Sequence, residues 1–424
     1  MTRRWTPSLL VATLFATLFA ALPASAQTTA PPLRIGTWNL EFLGDPANHR
    51  DKVPPRDDAD LAAIGAYVRG LGVAVLAVQE VCSEVPLGKV AAAAGPSWNL
   101  VLGTTGGWDD GVTAQRIGFL FDTARVELLS AEELRDFPQR LEDVPIFHRI
   151  PVTACFRDKR TGCDFRAVTV HLKASMKPDD LKKRKLEATV LRDWLLLLEN
   201  GKREDQDIVV LGDFNSTYDA DPETVLEGAG AVRYLRPATP TPTIMHFPEP
   251  IDQIAPSSRF QEIAAKTFAV HGPAAGVDRD AWRKTYSDHF PVTVDLECNG
   301  DDDPTAEFSL ANAKYKLPVV GGAGAVAAAP QAPAREPGSA PAAGAGRDAA
   351  DAAAPGAGRA PRRANAPARD PIDVGDHIEV VLDGGTSVRG TLLAPLGDWV
   401  FVREVNLPVR AIPVQRVREV RMVP

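Results

Sequence analysis

The sequence predicts a four-layer α/β sandwich, two mixed sheets packed face to face with helices outside, followed by a small all-β barrel. Three observations predict it. From residue 27 to 317, short apolar, β-branched runs alternate with amphipathic stretches. After residue 370 only strand patterns remain. Between the two, 36 of the 50 residues of 321–370 are Ala, Pro or Gly. Alternating strands and helices suit sheets covered by helices. The Ala/Pro/Gly segment is too poor in core-forming side chains to offset its ordering entropy, so 318–370 is expected to be a disordered, semi-extended linker. With 424 residues, 45% hydrophobic and 24% charged, the chain is long enough for more than one core and too apolar for wholesale disorder.

The elements follow in order. Arg3 and Arg4, the apolar stretch Leu9–Leu22 and the small residues Ala24-Ser25-Ala26 form the three parts of a secretory signal over 1–26. A secreted or periplasmic protein starting near Gln27 is expected. No later apolar run approaches the roughly 20 residues needed to cross a bilayer, which excludes a polytopic membrane protein. Strands are expected at Ile35–Leu40, Val73–Gln79, Gly118–Phe121, Ala167–His171, Ile208–Leu211 and Pro291–Leu296, all short and bounded by turn residues. Helices are expected at Leu61–Leu71, Asp180–Leu198 and Pro222–Gly228; in the second, Leu181, Leu186, Val190, Trp194 and Leu197 or Leu198 recur near helical spacing. Over 371–424, five short strands with the turn Asp383-Gly384-Gly385 predict the barrel. An oxidising compartment permits disulfides. Cys155 and Cys163 flank a turn-like stretch and are expected to bridge, whereas Cys82 and Cys298 should not pair with each other.

Several predicted strands end in polar residues that an apolar strand would not otherwise choose. They are Trp38-Asn39-Leu40-Glu41, Gln79-Glu80, His171-Leu172-Lys173 and Gly212-Asp213-Phe214-Asn215, joined by Asp252-Gln253 and Ser287-Asp288-His289-Phe290-Pro291. Strand ends from one mouth of a sheet can converge, and this set suits phosphoester hydrolysis. Oxygen ligands from Asn39, Glu80, Asp213 and Asp288 fit Mg²⁺ or Mn²⁺. Zinc fits less well, because neither His-x-x-x-His nor paired cysteines occur. A carboxylate-oriented histidine then supplies proton transfer.

These motifs, in this order from Arg34 to Leu296, resemble the endonuclease/exonuclease/phosphatase superfamily, the deoxyribonuclease-I-like fold. Trp-Asn-Leu-Glu is weak by itself; Gly-Asp-Phe-Asn and Ser-Asp-His-Phe-Pro make the set specific. The resemblance implies a catalytic domain over 32–300, with Asn39, Glu80 and Asp288 at the metal. It implies that His171 contacts and helps protonate the phosphate, that Asp213 and Asn215 position the attacking water and the phosphate, and that His289 pairs with Asp252. Arg116 and Arg149 stand where related enzymes place substrate-binding arginines. Gln253 departs from the family pattern, where an aromatic residue or histidine commonly follows the aspartate. The C-terminal strands resemble an Sm-like or SH3-like barrel; with only Trp399 and Phe401 to stack on bases, a protein-contact role suits it better than RNA binding.

The expected activity is metal-dependent phosphodiester hydrolysis on DNA or RNA. A phosphomonoesterase or a lipid or inositol-phosphate phosphodiesterase would share the same site. A non-catalytic binding protein is disfavoured by retention of the whole set. The domain carries 44 acidic and 33 basic residues over 27–317, a net of −11, so only a locally positive cleft could hold a nucleic-acid backbone. The run Lys182-Lys183-Arg184-Lys185 is read as a solvated helix face. Cleavage within 321–370 should leave hydrolysis of small soluble phosphoesters intact; its loss on removing 371–424 from a still-folded chain would show that the two parts depend on each other.

Overall fold

The computed structural model describes residues 32–44, 53–106, 114–135, 137, 140–141, 144–199, 204–237, 239–274, 276–304, 306–308, 315–321, 377–383, 386–396, 399–403, 409–413 and 417–422. The expected signal over 1–26, and the expected linker beyond Gly321, lie outside them. The elements are β1 (Leu33–Leu43), α1 (Asp58–Leu71), β2 (Val75–Val81), α2 (Glu84–Ala94), β3 (Trp98–Leu102), β4 (Arg116–Asp122) and β5 (Val126–Glu133), then β6 (Arg140–Leu141), β7 (Val144–Pro145), β8 (Val152–Asp158), β9 (Asp164–His171), α3 (Pro178–Glu199) and β10 (Ile208–Asp213). There follow α4 (Asp221–Gly228), β11 (Asp252–Pro256), β12 (Ile263–Val270), α5 (Arg279–Thr285), β13 (Val292–Leu296), β14 (Val320–Gly321), β15 (His377–Leu382), β16 (Ser387–Leu396), β17 (Trp399–Arg403), β18 (Val409–Pro413) and β19 (Val417–Met422).

A seven-stranded sheet has the order β12-β13-β1-β2-β4-β3-β14, and a five-stranded sheet the order β11-β10-β9-β8-β5. Each contains one parallel pair, β1 with β2 and β9 with β10, among antiparallel neighbours. One core joins the two sheets, with Ile35, Val75, Phe119, Phe156, Phe165, Val209, Leu211, Val292 and Val294 all closed to solvent. The opposite face of the large sheet buries Trp38, Leu76 and Val78 under α1 and α2. That of the small sheet buries Val168, Val170 and Val210 under α3 and α4. Strands buried on both faces read as continuous apolar runs rather than alternating ones. The four expected layers are present.

Local chemistry sets the helix limits. Asp57 and Asp60 form a capping box at the start of α1, and Gly72, at φ 69°, closes it in the left-handed region. Helix α2 escapes the periodicity expected of a helix because Pro86, Gly88 and an alanine run dilute its apolar stripe. Strand β14 moves the start of the expected linker: Leu317 is buried and Val320 pairs with Leu100 on the edge of the large sheet. The expected barrel is described as a five-stranded antiparallel sheet, β18-β17-β16-β15-β19, with Ile378, Val380, Leu382, Val388, Val400, Val402 and Ile412 buried together.

The expected Cys155–Cys163 bridge is absent; all four cysteines are free thiols and buried. Register is the reason. In the β8–β9 hairpin Cys155 stands opposite Arg166, not Cys163. Ala154 and Phe156 on either side of it point into the inter-sheet core, so by strand alternation Cys155 points away, while Cys163 points in. The Cys163 thiol hydrogen-bonds to Cys298, which with burial pushes its pKa up. Cys82 lies at the other end of the strands, its N–H donating to the Leu43 carbonyl at 2.8 Å. Peptide mapping without reduction is expected to show no Cys155–Cys163 peptide; recovery of one would overturn the hairpin register.

Candidate active site

The two parallel pairs direct their C-terminal ends toward one pole, and β11 and β13 begin there. Asp213 pairs with His171 on one side and with Asp252 on the other, so three of the expected residues are cross-strand neighbours by register alone. Gly212 makes this possible. It adopts φ 154°, and a Cβ there would lie 2.0 Å from the Val170 carbonyl oxygen, so the chain before Asp213 can pack this closely only without a side chain. Among the described residues five non-glycines have positive φ, and four of them, Glu41, Phe42, Glu80 and Asn215, belong to these strand ends. Such strain concentrates where side chains are aimed rather than packed.

Asn39, closed to solvent, donates from Nδ2 to Glu80 Oε1 at 3.2 Å and to Asp213 Oδ2 at 3.0 Å. His171 Nε2 stands 3.4 Å from Asp213 Oδ2 and 3.7 Å from Glu80 Oε1. His289 Nδ1 bonds Asp252 Oδ2 at 2.8 Å, and its Nε2 faces Asp213 Oδ2 at 4.0 Å and Asp288 Oδ1 at 3.9 Å. Asn215 donates its side-chain N–H to the Leu172 carbonyl at 3.1 Å, and its backbone N–H to Asp213 Oδ1 at 2.8 Å. The structure therefore brings together Asn39, Glu80, His171, Asp213, Asn215, Asp252, Asp288 and His289.

Their protonation differs by environment. Burial, reinforced by Arg149 and His289, holds His171 well below the usual histidine range. Burial would lower His289 too, but its bond to Asp252 and the charges of Asp252, Asp288 and Asp213 outweigh it and hold the imidazole well above that range. Burial and the charge of Asp252 push Asp213 up to about 7. Burial and Asp288 raise Glu80. One histidine is neutral and the other cationic near neutral pH.

A divalent cation fits this donor set. Glu80 and Asp288 repel each other across the site, and Asp288 Oδ1 is buried with no hydrogen-bond partner. Glu80, His171 and Asp213 offer ligand atoms within 4.8 Å of one another, as do Asp213, Asp252 and His289. Both groupings share Asp213.

The two arginines separate. Arg149 is buried; Nε donates to the His171 carbonyl at 3.0 Å, one terminal nitrogen to the Leu172 carbonyl at 2.7 Å and the other to Gln115 at 2.9 Å. It sits beneath the strand end instead of facing outward. Arg116 lies opposite Val81, next to Glu80, and has no hydrogen-bond or ion-pair partner among the described residues. Gln253, the departure from the family pattern, donates to the Ser216 carbonyl at 2.8 Å and so anchors the loop after Asp213.

Glu41 went unassigned in the sequence because its partners are distant in the chain. Buried, it accepts from Arg56 at 2.9 Å, from Arg283 and from the backbone N–H of Asp288 at 3.2 Å. Ser287 Oγ donates to the Asn39 carbonyl at 2.7 Å, and Trp38 Nε1 to the His289 carbonyl at 3.1 Å. The Asp288-His289 segment is thereby fixed to the end of β1. The basic run of α3 is not uniformly solvated: Lys182 is exposed, but Arg184 turns inward and donates to the carbonyls of Lys173 and Ser175 at 2.6 and 3.0 Å. Beside Asn215 a cavity of about 330 Å³ is lined by Met176, Leu181, Arg184, Phe247 and Ile251, among others.

A sequence profile described as "Endonuclease/Exonuclease/phosphatase family" matches residues 36–289, more than half the chain and every residue above from Asn39 to His289. No curated protein matches the chain in sequence. Similar solved structures include the human Nocturnin catalytic domain with bound sulfate anion (16% identity, TM-score 0.45, covering 62% of this chain and 93% of that one). A mannosyl-6-phosphatase of Bacteroides thetaiotaomicron follows (18%, 0.44, 62% and 99%), as does D. rerio TDP2 complexed with single strand DNA product (19%, 0.44, 62% and 98%).

Replacing Glu41 with Ala would leave the buried Arg56 guanidinium without its carboxylate. A loss of about 3–5 kcal/mol in denaturant unfolding is expected, the range for breaking a buried pair from one side. A loss under about 1 kcal/mol, the scale of an exposed pair, would show that Glu41 does not brace the site.

Proposed function

The chain belongs to the endonuclease/exonuclease/phosphatase family, whose members are phosphoester hydrolases, and from that premise we propose that it is an exported, Mg²⁺- or Mn²⁺-dependent phosphodiesterase acting on nucleic acid. The observation that carries the choice of a diester is the charge at the site. Glu80, Asp213, Asp252 and Asp288 converge there, and the protein cations acting on them are the His289 imidazolium and the buried Arg149, which is already occupied by backbone carbonyls. A singly charged diester suits so little positive charge better than a dianionic monoester. Nucleic acid is favoured by the cavity beside Asn215. Its apolar wall includes the exposed side chains of Met176 and Phe247, and Lys177, Lys182 and Lys183 are interleaved in the chain with its lining residues. His148 nearby is pushed down to about 4 by burial and by Lys183, Arg149 and Lys173. A basic approach and an apolar wall for a base are what a single strand requires.

In this scheme the raised Asp213 carboxylate orients the attacking water and accepts its proton. Asn215 fixes the loop beside it. The His289 imidazolium, held by Asp252, stabilises charge growing on the phosphoryl oxygens, and neutral His171 hydrogen-bonds the same group through Nε2. Bound by Glu80 and Asp288 with Asn39 in support, a divalent cation supplies neutralisation of phosphate charge. Arg149 acts through His171, as a positioning residue, and Arg116 takes a phosphate oxygen.

Purified protein assayed with Mg²⁺ or Mn²⁺ against single-stranded DNA, RNA, a chromogenic diester, a chromogenic monoester and sphingomyelin tests the substrate class. Hydrolysis of the nucleic acids and the diester, abolished by EDTA and restored by metal, is expected. Preference for the monoester or the lipid would refute the choice of substrate, and full turnover after exhaustive chelation would refute the metal requirement. His289→Ala should lower turnover by roughly 10²–10⁴-fold, the scale of a positioned acid or base. Arg116→Ala should raise KM more than it lowers kcat, and Arg149→Lys the reverse, since a lysine cannot reach both carbonyls. Equal effects on both parameters at both positions would contradict these roles.

A further inference from the structure

At the pole opposite the active site, a second group of carboxylates gathers from three distant parts of the chain. Asp205 and Asp207 precede β10, Glu262 precedes β12, and Asp301-Asp302-Asp303 follow β13. Strand β10 has six residues, about 20 Å at 3.3 Å each, so this group stands apart from Asp213. Asp207, Glu262 and Asp302 each offer an oxygen within 4.8 Å of the others. Oxygens on one cation bound at 2.3–2.6 Å are at most about 5 Å apart, so the spacing allows a shared ion.

The group is unbalanced. Asp207 is only 6% exposed, yet its carboxylate accepts no hydrogen bond and meets no cation among the described residues. After burial, everything acting on it is negative: Glu262, Asp205, Asp302 and Asp303 push it up to about 9. Glu262 Oε2 and Asp303 Oδ1 are likewise buried without a partner. Arg157, which feels the charge of Asp301, is bound to Asp164 at 2.9 and 2.5 Å. Carboxylates crowded by like charge and left without a counter-charge are costly, and an ion among these oxygens removes the cost.

We propose that this pole is a Ca²⁺ site, with Asp207, Glu262 and Asp302 as ligands and Asp301 or Asp303 completing the shell. All the donors are hard oxygens, supplied irregularly by a strand start and two loops. That suits the flexible six- to eight-fold coordination of Ca²⁺ better than the strict octahedron of Mg²⁺. Bound there, the ion clamps the segment after β13 to the entrances of β10 and β12, one from each sheet, and so acts on stability rather than on chemistry.

The test uses the full chain stripped with EDTA and Ca²⁺ alone as the probe. Equilibrium dialysis should show a Ca²⁺ site that persists in Glu80→Gln. Saturating Ca²⁺ should raise Tm by about 4 °C or more. Asp302→Asn, at an exposed position that leaves the fold undisturbed, should abolish the shift. Asp207→Asn should raise Tm of the stripped protein, by relieving repulsion, and remove the response to Ca²⁺. No shift in the unaltered chain, an undiminished shift in both variants, or loss of the site in Glu80→Gln alone would each overturn the proposal; the last would assign the ion to the active site.

Discussion

One buried amide holds the active pole together. Asn39 at the end of β1 donates to Glu80 in its own sheet and to Asp213 in the other, while its oxygen accepts from the Glu41 N–H at 2.9 Å. Because Nδ2 has two hydrogens and no charge, it can hold two carboxylates near each other without becoming the stronger partner of either. Below it, Gln79 spans the same gap, bonding Thr37 and Thr169 at 3.0 Å. His289 with Asp252, and Thr104 with Glu133, add further polar links, while the core between the sheets is apolar and sets spacing but not direction. These polar bridges fix how the strand ends face, and the positive φ angles at Glu41, Phe42, Glu80 and Asn215 accompany that aim.

Burial then assigns the chemistry. Two histidines within reach of one carboxylate differ in charge, one neutral and one cationic, because burial and Arg149 lower the first while Asp252 raises the second. The site is acidic, and what neutralises it matters more than what composes it. Glu41 is matched by Arg56 and Arg283 and serves as a brace, whereas Glu80 and Asp288 have no such match and are left for a cation. The opposite pole has the same deficit at Asp207 without histidines near it, which is why similar carboxylates there point to a structural ion instead of catalysis.

Much of this was legible in the sequence. The strand-end motifs named Asn39, Glu80, His171, Asp213, Asn215, Asp252, Asp288 and His289 because an apolar strand that ends in a polar residue violates its own pattern. The parallel pairs then place those violations at one pole. Arg116 and Arg149 looked equivalent, each beside an apolar run, and only the packing shows that Arg149 is occupied by the carbonyls of His171 and Leu172. Glu41 stood out only as part of a polar strand end; its bracing role gave no signal, since its partners Arg56 and Arg283 are 15 and 242 residues away.

The sequence by itself determined the layer architecture and the class of chemistry, because these depend on period, turn residues and donor type, all local properties of the chain. Tertiary structure decided what depends on register and on meeting across layers. One residue of strand alternation turned Cys155 away from Cys163 and set Cys163 against Cys298. The packing of Val320 on the edge of the large sheet shortened the linker. The charge states of His171 and His289, and the gathering of Asp207, Glu262 and Asp302, follow from distances between segments far apart in sequence. Electrostatic energy depends on those distances and on burial, and neither is written in a residue's neighbours along the chain.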